Sequence, residues 1–271
     1  ETGYILLTDK PSIFYFSGIE TEEGSVMVFG KHEAVLFVPF PEEDEINGIR
    51  MEGLGELRKA VKGIRKGSCM GVDKHRMSAY MYNRLSRHFR LRDISAKIYE
   101  LRAVKDGQEL EIIKEAVGKT DELFKRVIQG LYSRREIEVE RDVKVFALAH
   151  GFETSFNPII ASGINSANIH HRPGERKINR GENIIIDLGV RYKGYCTDVS
   201  RTIVSKECMQ TYEKIKAIHD ALIDNMHAGV KVEEVNKLYK SLMKKYGFKP
   251  AHACMHSIGL EVHEPLAKEI K

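Results

Sequence analysis

The sequence predicts an α+β protein in two parts, a smaller α/β domain over residues 1–102 and a larger domain over residues 103–271. Three observations lead there. Short apolar runs alternate with helical patterns through the first part. A long helical pattern then opens at Gly107. Beyond Gly151, strand-like runs gather around an acidic hairpin, and two helical stretches lead on to a histidine-rich segment.

In the first part, Tyr4-Ile5-Leu6-Leu7, Val26-Met27-Val28-Phe29 and Ala34-Val35-Leu36-Phe37-Val38 read as strands, bounded by Gly, Pro and charged turns. Gly53 to Lys62 and Ser78 to Phe89 read as helices. The basic run from Arg84 to Arg92 reads as a solvated helix face, because no nucleic-acid-binding module accompanies it. This part carries no catalytic constellation. The boundary falls at about residue 102, within Leu101-Arg102-Ala103-Val104-Lys105.

From Gly107 to Gln129 an apolar stripe recurs at helical spacing through Leu110, Ile113, Val117, Leu123, Phe124, Val127 and Ile128. A second helix is expected from about Ser133 to Ala149, with Ser133 as its cap and Glu136 closing a capping box. Phe156 to Ser162, Asn183 to Leu188 and Tyr195 to Val204 read as strands, and Thr211 to Met226 and Lys231 to Lys245 as helices. Histidines then cluster between Ala251 and Glu264.

Composition narrows the function classes. The 271 residues are 42% hydrophobic and 30% charged, ordinary values for a globular protein, and no run reaches the roughly 20 apolar residues of a membrane span. The start, Glu1-Thr2-Gly3-Tyr4, has no export-signal pattern and lacks Met, so a cytoplasmic protein that has lost a few leading residues is expected. A net charge of +4 from 43 basic and 39 acidic residues points to neither a nucleic-acid nor a membrane partner. Cys69, Cys196, Cys208 and Cys254 form no CxxC pair, so they read as reduced thiols and a zinc–thiolate site is not expected.

Asp187 ends the apolar run Ile184-Ile185-Ile186, where a carboxylate is costly unless paired or bound to a cation. Asp198 follows after a reversal marked by Gly189, Lys193 and Gly194. A hairpin whose loop centres on Tyr192-Lys193 sets the two aspartates directly opposite, with Cβ atoms about 5 Å apart. That spacing suits a pair of metal ions about 3.5–4 Å apart. A one-residue slip would send them to opposite faces. His252, His256 and His263, separated by 4 and 7 positions, supply imidazoles nearby in sequence.

Several segments, in the same order, resemble the metallopeptidases of the pita-bread fold. Asp187-Leu188-Gly189, Gly194-Tyr195, Asp198 and Ser200-Arg201-Thr202 are similar to their first metal-ligand signature. Phe156-Asn157-Pro158-Ile159-Ile160-Ala161-Ser162-Gly163 with Asn168-Ile169-His170-His171 resembles the strand and substrate-side histidine. Arg180-Gly181-Glu182-Asn183 resembles the turn entering the ligand strand, and the stretch from His252 to Glu264 the histidine signature. Leu101-Arg102-Ala103-Val104-Lys105 with Glu109 is similar to the linker at which the catalytic domain of prolidases and aminopeptidases P begins. The resemblance covers essentially the whole chain.

It implies a pita-bread catalytic domain behind an N-terminal domain of creatinase/prolidase type. It further implies hydrolysis of the bond between an N-terminal residue and proline, by a dipeptidase or an aminopeptidase, with short proline-containing peptides as substrates and a homodimer as the assembly. Asp187 would bind one of two divalent ions, Asp198 would bridge both, and His256 would be the imidazole ligand. Manganese leads, with cobalt, zinc and iron as competitors. His252 and His263 would flank the substrate, and His170, rather than His171, would contact it.

Departures are few. Met255 and Ser257 stand where the family usually has glycine, and Met255 would narrow the channel. The family's two remaining ligands are glutamates on late strands; Glu264 and Glu269 fit neither place, so the resemblance implies a missing C-terminal end. Two other readings share the fold, a metal-free creatinase-like amidinohydrolase and a non-catalytic binding protein.

Overall fold

The apolar runs of the first part pair into one sheet. The computed structural model describes residues 3–270; Glu1, Thr2 and Lys271, on which the expectations about the two chain ends rest, lie outside the described residues. Close packing divides the chain into two compact units, Glu1–Arg102 and Ala103–Lys271.

The first unit runs β1 (Tyr4–Leu7), α1 (Lys10–Ser17), β2 (Val26–Phe29), β3 (Ala34–Val38), β4 (Glu45–Ile46), β5 (Ile49–Gly53), α2 (Leu54–Gly63), β6 (Cys69–Val72), α3 (Ala79–Ser86), β7 (Arg90–Asp93) and α4 (Ser95–Ala103). Its strands order as β4-β5-β3-β2-β1-β6-β7. Strand alternation splits the core in two: Leu6, Val26 and Phe37 pack on one side, Leu7, Met27 and Leu36 on the other. The Asn47-Gly48 turn between β4 and β5 has φ of 53° and 76°, the left-handed pair that a two-residue hairpin requires. The basic run Arg84 to Arg92 departs from the expected single helix. Helix α3 stops at Ser86, Phe89 turns into the core, and Arg90 and Arg92 stand exposed on β7, at the sheet edge. Charge on an edge strand discourages pairing with another chain.

The second unit runs α5 (Gly107–Gln129), α6 (Glu136–Ala149), β8 (Glu153–Thr154), β9 (Ile159–Ser162), β10 (Ile184–Leu188), β11 (Val190–Tyr192), β12 (Tyr195–Cys196), β13 (Val199–Ile203), α7 (Met209–Asp224) and α8 (Val232–Lys245). Two antiparallel three-stranded sheets, β13-β10-β9 and β12-β11-β8, share one long hairpin that breaks at Gly189 on one arm and at Thr197-Asp198 on the other. Leu123, Phe124 and Val127 of α5 and Val139, Val143 and Ala147 of α6 close over Ile160, Ile184, Ile186 and Leu188.

Helix α5 has the expected span, opened by an Asp106–Glu109 capping box. Its stripe is buried only in the second half; Leu110, Val117 and Ile128 are exposed. Ahead of Leu123 the inward positions are Glu109, Ala116 and Thr120, two of them polar. Glu109 accepts the Tyr195 hydroxyl at 2.9 Å, and the Thr120 and Thr197 hydroxyls meet at 2.6 Å. Ser133 is not the cap of α6. It takes φ of 65°, and the helix starts at Glu136. The carboxylate that closes on the helix start is that of Glu138, which accepts the Arg135 amide at 2.8 Å, because the Glu136 side chain is engaged elsewhere. Helices α7 and α8 pack around Ile218, Leu222, Val235, Tyr239 and Met243, and Met255 packs against this cluster.

Candidate metal centre

The hairpin register decides where the acidic side chains go. Asp187 lies opposite Ser200, not Asp198, and the turn is Lys193-Gly194 with φ of 47° and 83°. The expected register is therefore off by two residues. The face survives, because side chains alternate with period two. Asp198 occupies the diagonal position beside Asp187, and their carboxyl groups come within hydrogen-bonding reach.

A constriction enforces this approach. The Thr197 hydroxyl receives the Val190 amide at 2.8 Å, and Ser155 Oγ donates to Thr197 O at 2.7 Å. A Cβ on Gly189 would collide with Thr197 O and Ser155 Oγ, so only glycine passes there.

Asp187 is half-buried, and its carboxyl is held above the ordinary range. Burial is the largest cause; the Ser200 hydroxyl, 2.7 Å from Oδ1, opposes it, and the Asp198 charge adds to it. His256 Nε2 lies 3.2 Å from Asp198 Oδ2. The His263 ring meets the His256 ring edge-on, with centroids 4.3 Å apart. Donor atoms of Asp198, His256 and His263 fall within 4.8 Å of one another. Carboxylates and imidazoles without thiolate suit a hard or borderline divalent cation. Two crowded carboxyls, one carrying a raised pKa, are what such a cation would relieve. The residues present thus fit a divalent metal.

Of the expected residues, the structure brings together Asp187, Asp198, His256 and His263. His252 is exposed, with Nδ1 2.6 Å from Ala253 O. His170 is exposed and donates its backbone N–H to Asn168 Oδ1. Neither ring is engaged with the other four among the described residues.

Three residues have partners here that the sequence did not announce, although Ser200 and Glu264 lie within the segments already singled out. Ser200 is the hydroxyl partner of Asp187. Glu136, with no exposure at all, accepts from the Ser162 amide and hydroxyl (2.7 Å each), Asn165 Nδ2 and the Gly174 amide, and lies 2.7 Å from His171 Nε2. It anchors the loop that carries His170. Glu264 is buried directly after His263 and pairs with Lys105 at 3.2 Å. Adjacency to a candidate histidine was the one available signal for Glu264; for Glu136 there was none.

Residues 111–270 match metallopeptidase family M24, and residues 2–104 match the creatinase/prolidase N-terminal domain. The chain is 26% identical over 277 residues to a Xaa-Pro dipeptidase of Pyrococcus horikoshii, covering 96% of this chain and 78% of that protein. Among solved structures it is similar to the prolidase from Pyrococcus furiosus, with a TM-score of 0.87 at 25% identity over 99% of this chain and 83% of that one. It is also similar to a Xaa-Pro dipeptidase from Bacillus anthracis, with a TM-score of 0.85 at 26% identity over 99% and 81%.

Proposed function

The chain belongs to metallopeptidase family M24, and from that premise we propose that it hydrolyses the bond between an N-terminal residue and proline, as a Xaa-Pro dipeptidase or aminopeptidase. The observation that carries the proposal is the convergence of Asp187, Asp198, His256 and His263 on one face of a pinched hairpin and its neighbouring loop.

Asp187, Asp198 and His256 would contribute to holding the two divalent ions, manganese before cobalt, zinc or iron. When bound, such ions supply an activated water and polarise the scissile carbonyl. The remaining work falls to the chain. An Xaa-Pro bond has no amide N–H, so recognition must come through the carbonyl and the ring. His263, whose ring centroid lies 4.3 Å from that of His256, would donate a hydrogen bond to oxygen as it gains charge. His252 and His170 are assigned to the substrate on motif alone. A homodimer and a cytoplasmic location complete the proposal; among the described residues no helix is long and apolar enough to cross a membrane.

The test is turnover of Xaa-Pro dipeptides, longer Xaa-Pro peptides and their Pro→Ala counterparts with added Mn2+. Cleavage confined to the proline substrates is expected, and the preferred length separates dipeptidase from aminopeptidase. Equal turnover of Met-Ala peptides, or turnover of creatine without metal, would overturn the assignment. Sedimentation and cell fractionation check the assembly and the location.

A further inference from the structure

His256 and His263 are neighbours of a small antiparallel bridge. Ser257 pairs with Glu264, and the Glu264 amide donates to Ser257 O at 3.0 Å. In such a bridge the paired residues share one face and the residues beside them take the other. Alternation therefore sends both imidazoles to the site side and the Glu264 side chain inward.

A carboxylate turned inward must find donors. Oε1 of Glu264 accepts the Leu260 amide at 3.0 Å, and Oε2 accepts Lys105 Nζ at 3.2 Å. Side-chain exposure is 4% for Glu264 and 12% for Lys105, so neither is a surface ion pair whose contribution solvent would erase. Residues 257–264 thus close around the carboxylate. The closure is tight: a Cβ on Gly259 would lie 2.8 Å from Cδ and from both carboxylate oxygens of Glu264.

The same loop is tied to the hairpin that carries Asp198. The Cys196 amide donates to Gly259 O at 2.7 Å, and Arg191 donates to Leu260 O at 3.2 Å. One buried carboxylate therefore fixes a loop that is referenced to the acidic strands and that bears an imidazole beside each end of its bridge.

We infer that Glu264 is a positioning residue: by accepting Leu260 and Lys105 it sets the spacing of His256 and His263, and through that spacing the metal affinity of the site. The inference rests on reading these imidazoles as site residues, but two of its readouts require neither metal nor peptide.

Three measurements on the full chain test it. Hydrogen exchange should show the Leu260 amide strongly protected in the unaltered protein. The nuclear Overhauser effect between the His256 and His263 ring protons should persist in Glu264→Gln, which still offers an oxygen to Leu260, and vanish in Glu264→Ala. Calorimetric Mn2+ affinity should follow the ring contact, staying near the unaltered value in Glu264→Gln and dropping roughly 10–100-fold in Glu264→Ala. Should Glu264→Ala not fold, Gly259→Ala, which displaces the carboxylate, is expected to give the same two losses. Leu260 exchange as fast as that of an open loop overturns the inference whatever the variants do. So does a folded Glu264→Ala that keeps the ring contact and its affinity. An absence of Xaa-Pro cleavage alongside the expected exchange, ring-contact and affinity pattern supports the positioning role and overturns the substrate reading instead.

Discussion

The loop around Glu136 and the hairpin around Asp187 treat a carboxylate in opposite ways. Glu136 has no solvent exposure, yet its pKa is lowered; Asp187 is only half-buried, yet its pKa is raised. Burial is the largest single influence on both and pushes both upward. Around Glu136 it is outweighed by hydrogen bonds from the Ser162 hydroxyl, His171, the Ser162 amide and Asn165. Around Asp187 there is one hydroxyl, from Ser200, and a like charge, from Asp198. The supply of donors, set against burial and neighbouring charge, decides which carboxylate is at ease. A saturated carboxylate fixes structure, whereas an undersupplied pair of them is a place for a cation.

The comparison breaks most visibly through activity. Asp198→Asn should reduce turnover of an Xaa-Pro peptide by roughly 10³-fold or more and lower bound metal, since it removes a charge that the cation needs. Retained turnover with full metal content would remove Asp198 from the site. Glu136→Ala should leave Ser162, Asn165, His171 and Gly174 without their acceptor and destabilise the larger domain by about 3–5 kcal/mol in urea unfolding. A cost under about 1 kcal/mol would mean the loop does not depend on its anchor.

The third prediction has the opposite sign. The folded-state pKa of Asp187 is raised, so its contribution favours folding while the carboxyl is protonated and is lost as pH rises through that value. At neutral pH in metal-free protein, Asp187→Asn should therefore raise Tm, by about 2–4 °C, while abolishing activity. A lowered Tm would show that Ser200 satisfies Asp187 after all. The smallest effect is on acid unfolding. Glu136 is lowered from 4.5, so its stabilisation is complete above that value and is lost as pH falls through the folded-state value. Comparing acid transitions of the unaltered protein and Glu136→Gln should show a shallower loss in the variant.

How much of this was legible in sequence depended on whether the cause was local. The α5 span and the β10 run carry their own periodicity, and both are found where expected. The hairpin turn was displaced because Lys193 accepts a left-handed φ, which its residue type does not announce. Ser133 and Glu136 matched a capping box in spacing, but the partners of Glu136 come from 26 to 38 positions away and outbid the local cap. Glu264 and Lys105 are separated by 159 positions, beyond any periodic signal. Side chains that converge through long-range closure are legible in sequence only where a motif has already recorded the outcome.

The constriction at Gly189 bears on how such a protein could age. In a lineage released from catalysis, exchanging Asp187 for a neutral residue would relax the fold rather than strain it, so selection on folding alone would let the acid go. Any side chain at 189 would wedge the hairpin apart, so the glycine would be kept. A descendant stripped of its chemistry would then still carry its hairpin's signature in a glycine kept for packing alone. The order in which the two positions drift would tell a retired enzyme from a working one.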